Sequence, residues 1–126
     1  MNKILVLDID NTICEEKKGR EYPDLLPRDN VVNTLRQYVN DGYYIILHTS
    51  RQMRTYQGNN GKIIKNTVPV LTEWLDKWNI YYDELIIGKP WCGRQGFYVD
   101  DRAIRPSEFV KYTEAEIMKI LEAEKL

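Results

Sequence analysis

Two cysteines, one histidine and no long apolar run set the first limits on this 126-residue chain. Cys14 and Cys92 have neither the spacing nor the companions of a metal site. The polar Asn2 and early strand do not resemble a secretory signal, so both cysteines are expected as reduced thiols and the chain as cytoplasmic. No apolar run approaches the roughly 20 residues of a membrane helix, so no membrane partner is expected. A net charge of −1 supplies no whole-chain attraction for nucleic acid or an anionic membrane. The sole histidine, His48, closes an apolar run, where a packed imidazole is the better expectation than a general base. Repeats and low-complexity segments are absent too. What remains is a mixed composition, 43% hydrophobic and 29% charged, of a size that suits one domain over residues 1–126.

Within it, Ile4-Leu5-Val6-Leu7 has the pattern of a strand buried on both faces, and it runs into Asp8-Ile9-Asp10-Asn11-Thr12. Residues 11–28 are polar and punctuated by Gly19, Pro23 and Pro27, which predicts a loop or small flap. Asp29 is the expected N-cap of a helix carrying Val32, Leu35, Tyr38 and Val39 on one face and stopped by Gly42. Tyr44-Ile45-Ile46-Leu47 predicts a second strand, ending in His48-Thr49-Ser50-Arg51. A flexible loop is expected over 52–62, which contains Gly58-Asn59-Asn60-Gly61. Val68, Leu71, Leu75 and Trp78 recur at helical spacing. Glu84 to Ile87 predicts a third strand before Gly88-Lys89-Pro90, and Gly96 to Val99 a fourth before Asp100-Asp101. Pro106 and Ser107 begin a turn, and Thr113 with Glu116 forms a capping box for a last helix. This alternation predicts an α/β fold with a doubly wound, three-layer parallel sheet.

Four strand ends then carry polar groups: Asp8 with Asp10, Thr49 with Ser50, Lys89, and Asp100 with Asp101. In a parallel sheet these ends share one edge, where open α/β sheets bind ligands. Alternation puts Asp8 and Asp10 on one side, and adjacent carboxylates need a cation or a shared proton. Carboxylates suit a hard cation such as Mg²⁺, and a hydroxyl and a lysine suit phosphate oxygens. Each feature alone has an ordinary use. Asp after a strand caps or turns, a threonine caps a helix, and a lysine before proline lies on the surface. Four together, each at a strand end, favour a phosphate-and-Mg²⁺ site.

Asp8-x-Asp10-x-Thr12, Thr49, Lys89 and Asp100-Asp101, in that order, resemble the four-motif signature of the haloacid dehalogenase superfamily. The resemblance implies a phosphohydrolase working through an aspartyl-phosphate. It casts Asp8 as nucleophile and Asp10 as the acid and base. Thr49, Ser50 and Lys89 would hold the transferring phosphoryl group. Mg²⁺ would be bound by Asp8, the main-chain carbonyl of Asp10 and Asp100, with Asp101 direct or through a water. Asn11 stands where glycine is frequent in the family, and it tolerates a left-handed backbone. No stretch is long enough for a cap domain, so the resemblance is to a capless member. Its open site would take a bulky substrate or be covered by a second subunit. The phrases around Thr49, Lys89 and Asp100 also resemble a small bacterial subgroup of phosphatases linked to capsule polysaccharide biosynthesis, which implies a sugar phosphate. Arg51 and Arg54 are the charges best placed to touch it.

Two rivals fit less well. A nucleic-acid end phosphatase would be expected to carry a basic stripe that this chain lacks. A phosphoacceptor receiver domain would place its acidic pair before the lone Asp, the hydroxyl and the lysine, whereas here Asp100-Asp101 comes last.

Overall fold

Three short strands, β1 (Ile4–Asp8), β2 (Tyr44–His48) and β3 (Glu84–Ile86), form a parallel sheet in the order β1-β2-β3 in a computed structural model that describes residues 3–124. The register aligns their carboxyl ends: Asp8 pairs with His48, and His48 with Ile86. Two further main-chain bonds extend this row beyond the strands. Thr49 N–H donates to the Ile86 carbonyl at 3.0 Å, and Lys89 N–H donates to the Thr49 carbonyl at 3.1 Å. Three of the four predicted strand ends therefore meet, as parallel pairing requires.

Parallel neighbours need helical crossovers. Helix α1 (Asp29–Asn40) joins β1 to β2, and α2 (Asn60–Asn66) with α3 (Val68–Lys77) joins β2 to β3. Their apolar faces follow the periodicity in the sequence, burying Val31, Val32, Leu35 and Tyr38 in α1 and Leu71, Trp74 and Leu75 in α3. The strands contribute Leu7, Ile45 and Leu47 to the core, while Ile4 and Val6 alternate outward. Trp74 reaches the flap, where its indole N–H donates to the Leu25 carbonyl at 2.7 Å. That bond anchors the one helical turn of the flap, the 3₁₀ segment Tyr22–Asp24.

The chain divides into two compact units, Met1–Trp91 and Cys92–Leu126. The second holds α4 (Pro106–Lys111) and α5 (Glu114–Ala123). The Thr113 box caps α5 as expected, with its hydroxyl accepting from Glu116 N–H.

Five local expectations differ from the structure. The first strand is buried on one face only, since Ile4 and Val6 are exposed, and Asp29 opens α1 while Arg28 takes the N-cap position with no side-chain cap. Residues 60–62 open helix α2 rather than ending a loop, because the Asn59 side chain caps it by accepting from Lys62 N–H at 3.1 Å. The turn at Pro106 is a helix, with proline in the first turn where its missing N–H costs nothing. No strand forms at 96–99, and Phe97 and Val99 are 80% and 88% exposed. The chain doubles back there, since a Cβ on Gly96 would lie 2.0 Å from the Cys92 carbonyl oxygen. A four-residue apolar run without a ladder partner stays irregular. The fold is thus mixed α/β with a small open parallel sheet. No helix among the described residues is long and apolar enough to cross a membrane.

Candidate functional site

At the end of β1 the chain turns sharply, with Asn11 in the left-handed region at φ 58°. Asn tolerates that conformation, and Arg28 braces it by donating to the Asn11 carbonyl and side-chain oxygens. The turn sets Asp8 and Asp10 in different surroundings. Asp8 is loosely held: Lys89 Nζ lies 3.5 Å from one carboxylate oxygen, and the Thr12 hydroxyl donates to the other at 3.4 Å. Lys89 arrives through a second left-handed residue, Gly88, at φ 80°, where a Cβ would press to 3.0 Å of Asn60 Oδ1. Burial pushes the Asp8 carboxyl above the ordinary carboxylate range; Lys89 opposes the shift and the Asp10 charge adds to it.

Asp10 is gripped. Arg51 donates through Nε and Nη2 to Oδ1 at 3.1 and 2.8 Å, and Nε also lies 3.3 Å from Oδ2. The Thr49 hydroxyl donates to Oδ2 at 3.0 Å and accepts from Arg51 N–H at 2.9 Å. The Arg51 side chain is 2% exposed, and its guanidinium stacks on the Tyr22 ring at 4.2 Å. The flap therefore reaches Asp10 through Tyr22 and Arg51. The repulsion expected between the two carboxylates is relieved by the protein itself, with Lys89 beside one and Arg51 on the other.

The other expected site residues have these surroundings. The Thr49 hydroxyl, expected on a phosphate, donates to Asp10 Oδ2. Ser50 is half-buried and its hydroxyl makes no hydrogen bond among the described residues. Arg51, expected at the substrate, is buried against Asp10. Arg54 is exposed and lies 5.7 Å from the Trp91 ring. In the second unit, Asp100 and Asp101 are exposed, and Asp100 Oδ1 accepts from Arg102 N–H at 2.8 Å. Among the described residues no group of three or more His, Cys, Asp or Glu side chains comes together. Tyr22 and the Arg51–Asp10 pair went unseen in the sequence, where the sole signal was an arginine two residues after the strand-end threonine.

No family model and no curated protein matches the chain. A crystal structure of a structural-genomics target from Vibrio cholerae does, at 49% identity over 98% of this chain and 99% of that one, with a TM-score of 0.94. The chain belongs to the same family as this Vibrio cholerae protein. The α/β fold is thus common to the Vibrio cholerae family member and this chain over nearly their whole lengths.

The polar arrangement makes two results expected in solution. Cys14 is fully buried, with Sγ 3.8 Å from Asp10 Oδ1, and burial with that charge pushes its thiol up to about 11. Iodoacetamide at pH 8 is expected to label the half-buried Cys92 and spare Cys14; equal labelling of native protein contradicts this site. Burial, then Lys89, holds the His48 imidazole below its ordinary range, against an opposing pull from Asp8. Because His48 is the sole histidine, one NMR titration reads it directly. Its midpoint is expected below 6.5 and to rise in Lys89→Met. A midpoint unmoved by that substitution removes Lys89 from the site.

Proposed function

We propose that this protein is a capless phosphatase of the haloacid dehalogenase type, hydrolysing a phosphate monoester, best matched by a sugar phosphate, through an aspartyl-phosphate on Asp8. The observation that carries this reading is the contrast between the carboxylates: Asp8 is weakly held beside Lys89, and Asp10 is fixed by Arg51 and Thr49. The three-stranded sheet would be the kernel of that superfamily's doubly wound core. A cytoplasmic location fits the free thiols.

The resemblance to the haloacid dehalogenase pattern implies two steps for these residues. An Asp8 oxygen attacks phosphorus and the ester P–O bond breaks, with Asp10 in its protonated form giving its proton to the departing oxygen. Asp10, now a carboxylate, takes a proton from water as that water attacks phosphorus; the Asp8–phosphorus linkage breaks, releasing inorganic phosphate. Lys89 and Ser50 stabilise charge on the phosphoryl oxygens. Thr49 and Arg51 keep Asp10 in line for both proton transfers.

The donor chemistry fits Mg²⁺. Asp8 offers a weakly committed carboxylate, whereas the Asp10 carboxylate is taken by Arg51, which leaves Asp10 its main-chain carbonyl. The haloacid dehalogenase pattern adds Asp100 and Asp101 to that set. When bound, Mg²⁺ supplies positive charge for the phosphoryl oxygens. EDTA is expected to abolish turnover and Mg²⁺ to restore it; full activity in EDTA contradicts the assignment. An activity screen over phosphorylated sugars, nucleotides and oligonucleotide ends, with Mg²⁺ present, tests the substrate class. Preference for a phosphorylated oligonucleotide would replace the sugar phosphate with a nucleic-acid end.

A further inference from the structure

The Tyr22–Arg51 stack that holds Asp10 also lines a cavity of about 160 Å³. Glu21 in the flap, Gln52, and Asn66 and Thr67 at the junction of α2 and α3 supply the polar walls. Much of their hydrogen-bonding capacity is unused. The Glu21 carboxylate and the Asn66 amide make no hydrogen bond among the described residues. Gln52 Oε1 accepts from the Thr67 hydroxyl, which leaves the Gln52 amide N–H groups as donors. Arg51 Nη1 is buried and without a partner. Buried polar groups are ordinarily satisfied, so the open Arg51 donor at the cavity wall marks a place for a ligand, and the exposed Glu21 and Asn66 side chains at its rim are free to turn toward it.

Size and chemistry define that ligand. A cavity of about 150 Å³ accommodates one six-membered ring. The mix of amide donors and a carboxylate acceptor suits hydroxyl groups, and the Glu21 charge disfavours a second anion. We infer that this cavity binds the neutral sugar ring of the ester, the part that leaves when phosphate is transferred. The inference rests on the phosphatase reading of Asp8 and Asp10. The leaving oxygen takes its proton from Asp10, and Tyr22 and Arg51 are the residues that both adjoin Asp10 and line the cavity. Gln52, Asn66 and Glu21 then select for hydroxylated rings. The stacked pair links ring binding to the position of the proton donor.

The test uses Val70, which lines the cavity from α3. Val70→Trp fills it. Turnover is measured with Mg²⁺ on glucose 6-phosphate, mannose 1-phosphate and ribose 5-phosphate, and on acetyl phosphate, which has no ring. The ratio of kcat/KM for the best sugar phosphate to that for acetyl phosphate is expected to fall by at least about tenfold. Asn66→Leu, on the exposed helix surface, is expected to lower the same ratio by about fivefold. Ratios unchanged in both variants overturn the inference, as does wild-type preference for adenosine monophosphate over every sugar phosphate. Wild-type protein inert toward acetyl phosphate and all esters would instead defeat the phosphatase reading. Saturation-transfer NMR with methyl glucoside then judges the cavity alone: a signal in wild type that Val70→Trp removes supports it, and no signal overturns it.

Discussion

Asp8→Asn is expected to lower hydrolysis of a generic aryl phosphate by roughly 10⁴-fold or more, the scale seen when a catalytic nucleophile is removed. An amide oxygen is a poor nucleophile and carries no charge to be transferred onto phosphorus. The same substitution is expected to leave stability at neutral pH unchanged or raised. Burial and the Asp10 charge place the Asp8 carboxyl above its ordinary range. A carboxyl whose folded pKa exceeds its unfolded one is worse off ionised in the fold, so at neutral pH its charge works against folding. A neutral isostere relieves that. Steady-state kinetics with thermal unfolding of the same sample checks both halves. An inactive variant that melts far below wild type would show misfolding rather than loss of a nucleophile.

Asp10→Ala is expected to behave in the opposite way. It strands the Arg51 guanidinium, 2% exposed, without its carboxylate. Breaking a buried pair by removing one partner costs about 3–5 kcal/mol, and here the orphaned member is the buried one. For a chain of 126 residues that corresponds to a drop in Tm on the order of 10–20 °C. The Tyr22 stack is lost as a consequence, because it depends on a guanidinium held in place. A double substitution, Asp10→Ala with Arg51→Met, is expected to recover much of the loss, since no buried charge remains unpaired. Thermal unfolding of the three variants separates these outcomes. A shift of less than about 1 kcal/mol for Asp10→Ala would mean that the pair does little to hold the site.

The contrast between two carboxylates one residue apart was partly legible in the sequence. The apolar run before Asp8 and those before His48 and Gly88 read correctly as strands, because their apolar pattern marks them, although β1 buries Leu7 and leaves Ile4 and Val6 exposed. Parallel pairing then brought Asp8, Thr49 and Lys89 to one row. The helices at 29–40 and 68–77 were legible for the same reason, a 3.6-residue apolar period. Helix α2 was not, since its sequence opens on Asn60-Gly61, which reads as a breaker until Asn59 is recognised as the cap. Residues 96–99 failed in reverse: their composition suits a strand, but pairing is a property of a partner and not of the run itself. Within the site, residue types were legible and pairings were not. Nothing local distinguishes an arginine facing a ligand from one buried on a carboxylate 41 residues earlier. The flap showed its punctuation in Pro23 and Pro27 but gave no sign that Tyr22 would lie on Arg51.

The central claim is that Asp8 carries the phosphoryl group. Its most direct test is to quench wild-type protein during turnover of an aryl phosphate with Mg²⁺, reduce any acyl phosphate with borohydride, and map the modified peptide by mass spectrometry. The account predicts reduction at Asp8 alone, converting it to homoserine, and none in Asp8→Asn. Turnover with no modified carboxylate, or with the modification at Asp10 or another residue, would contradict it.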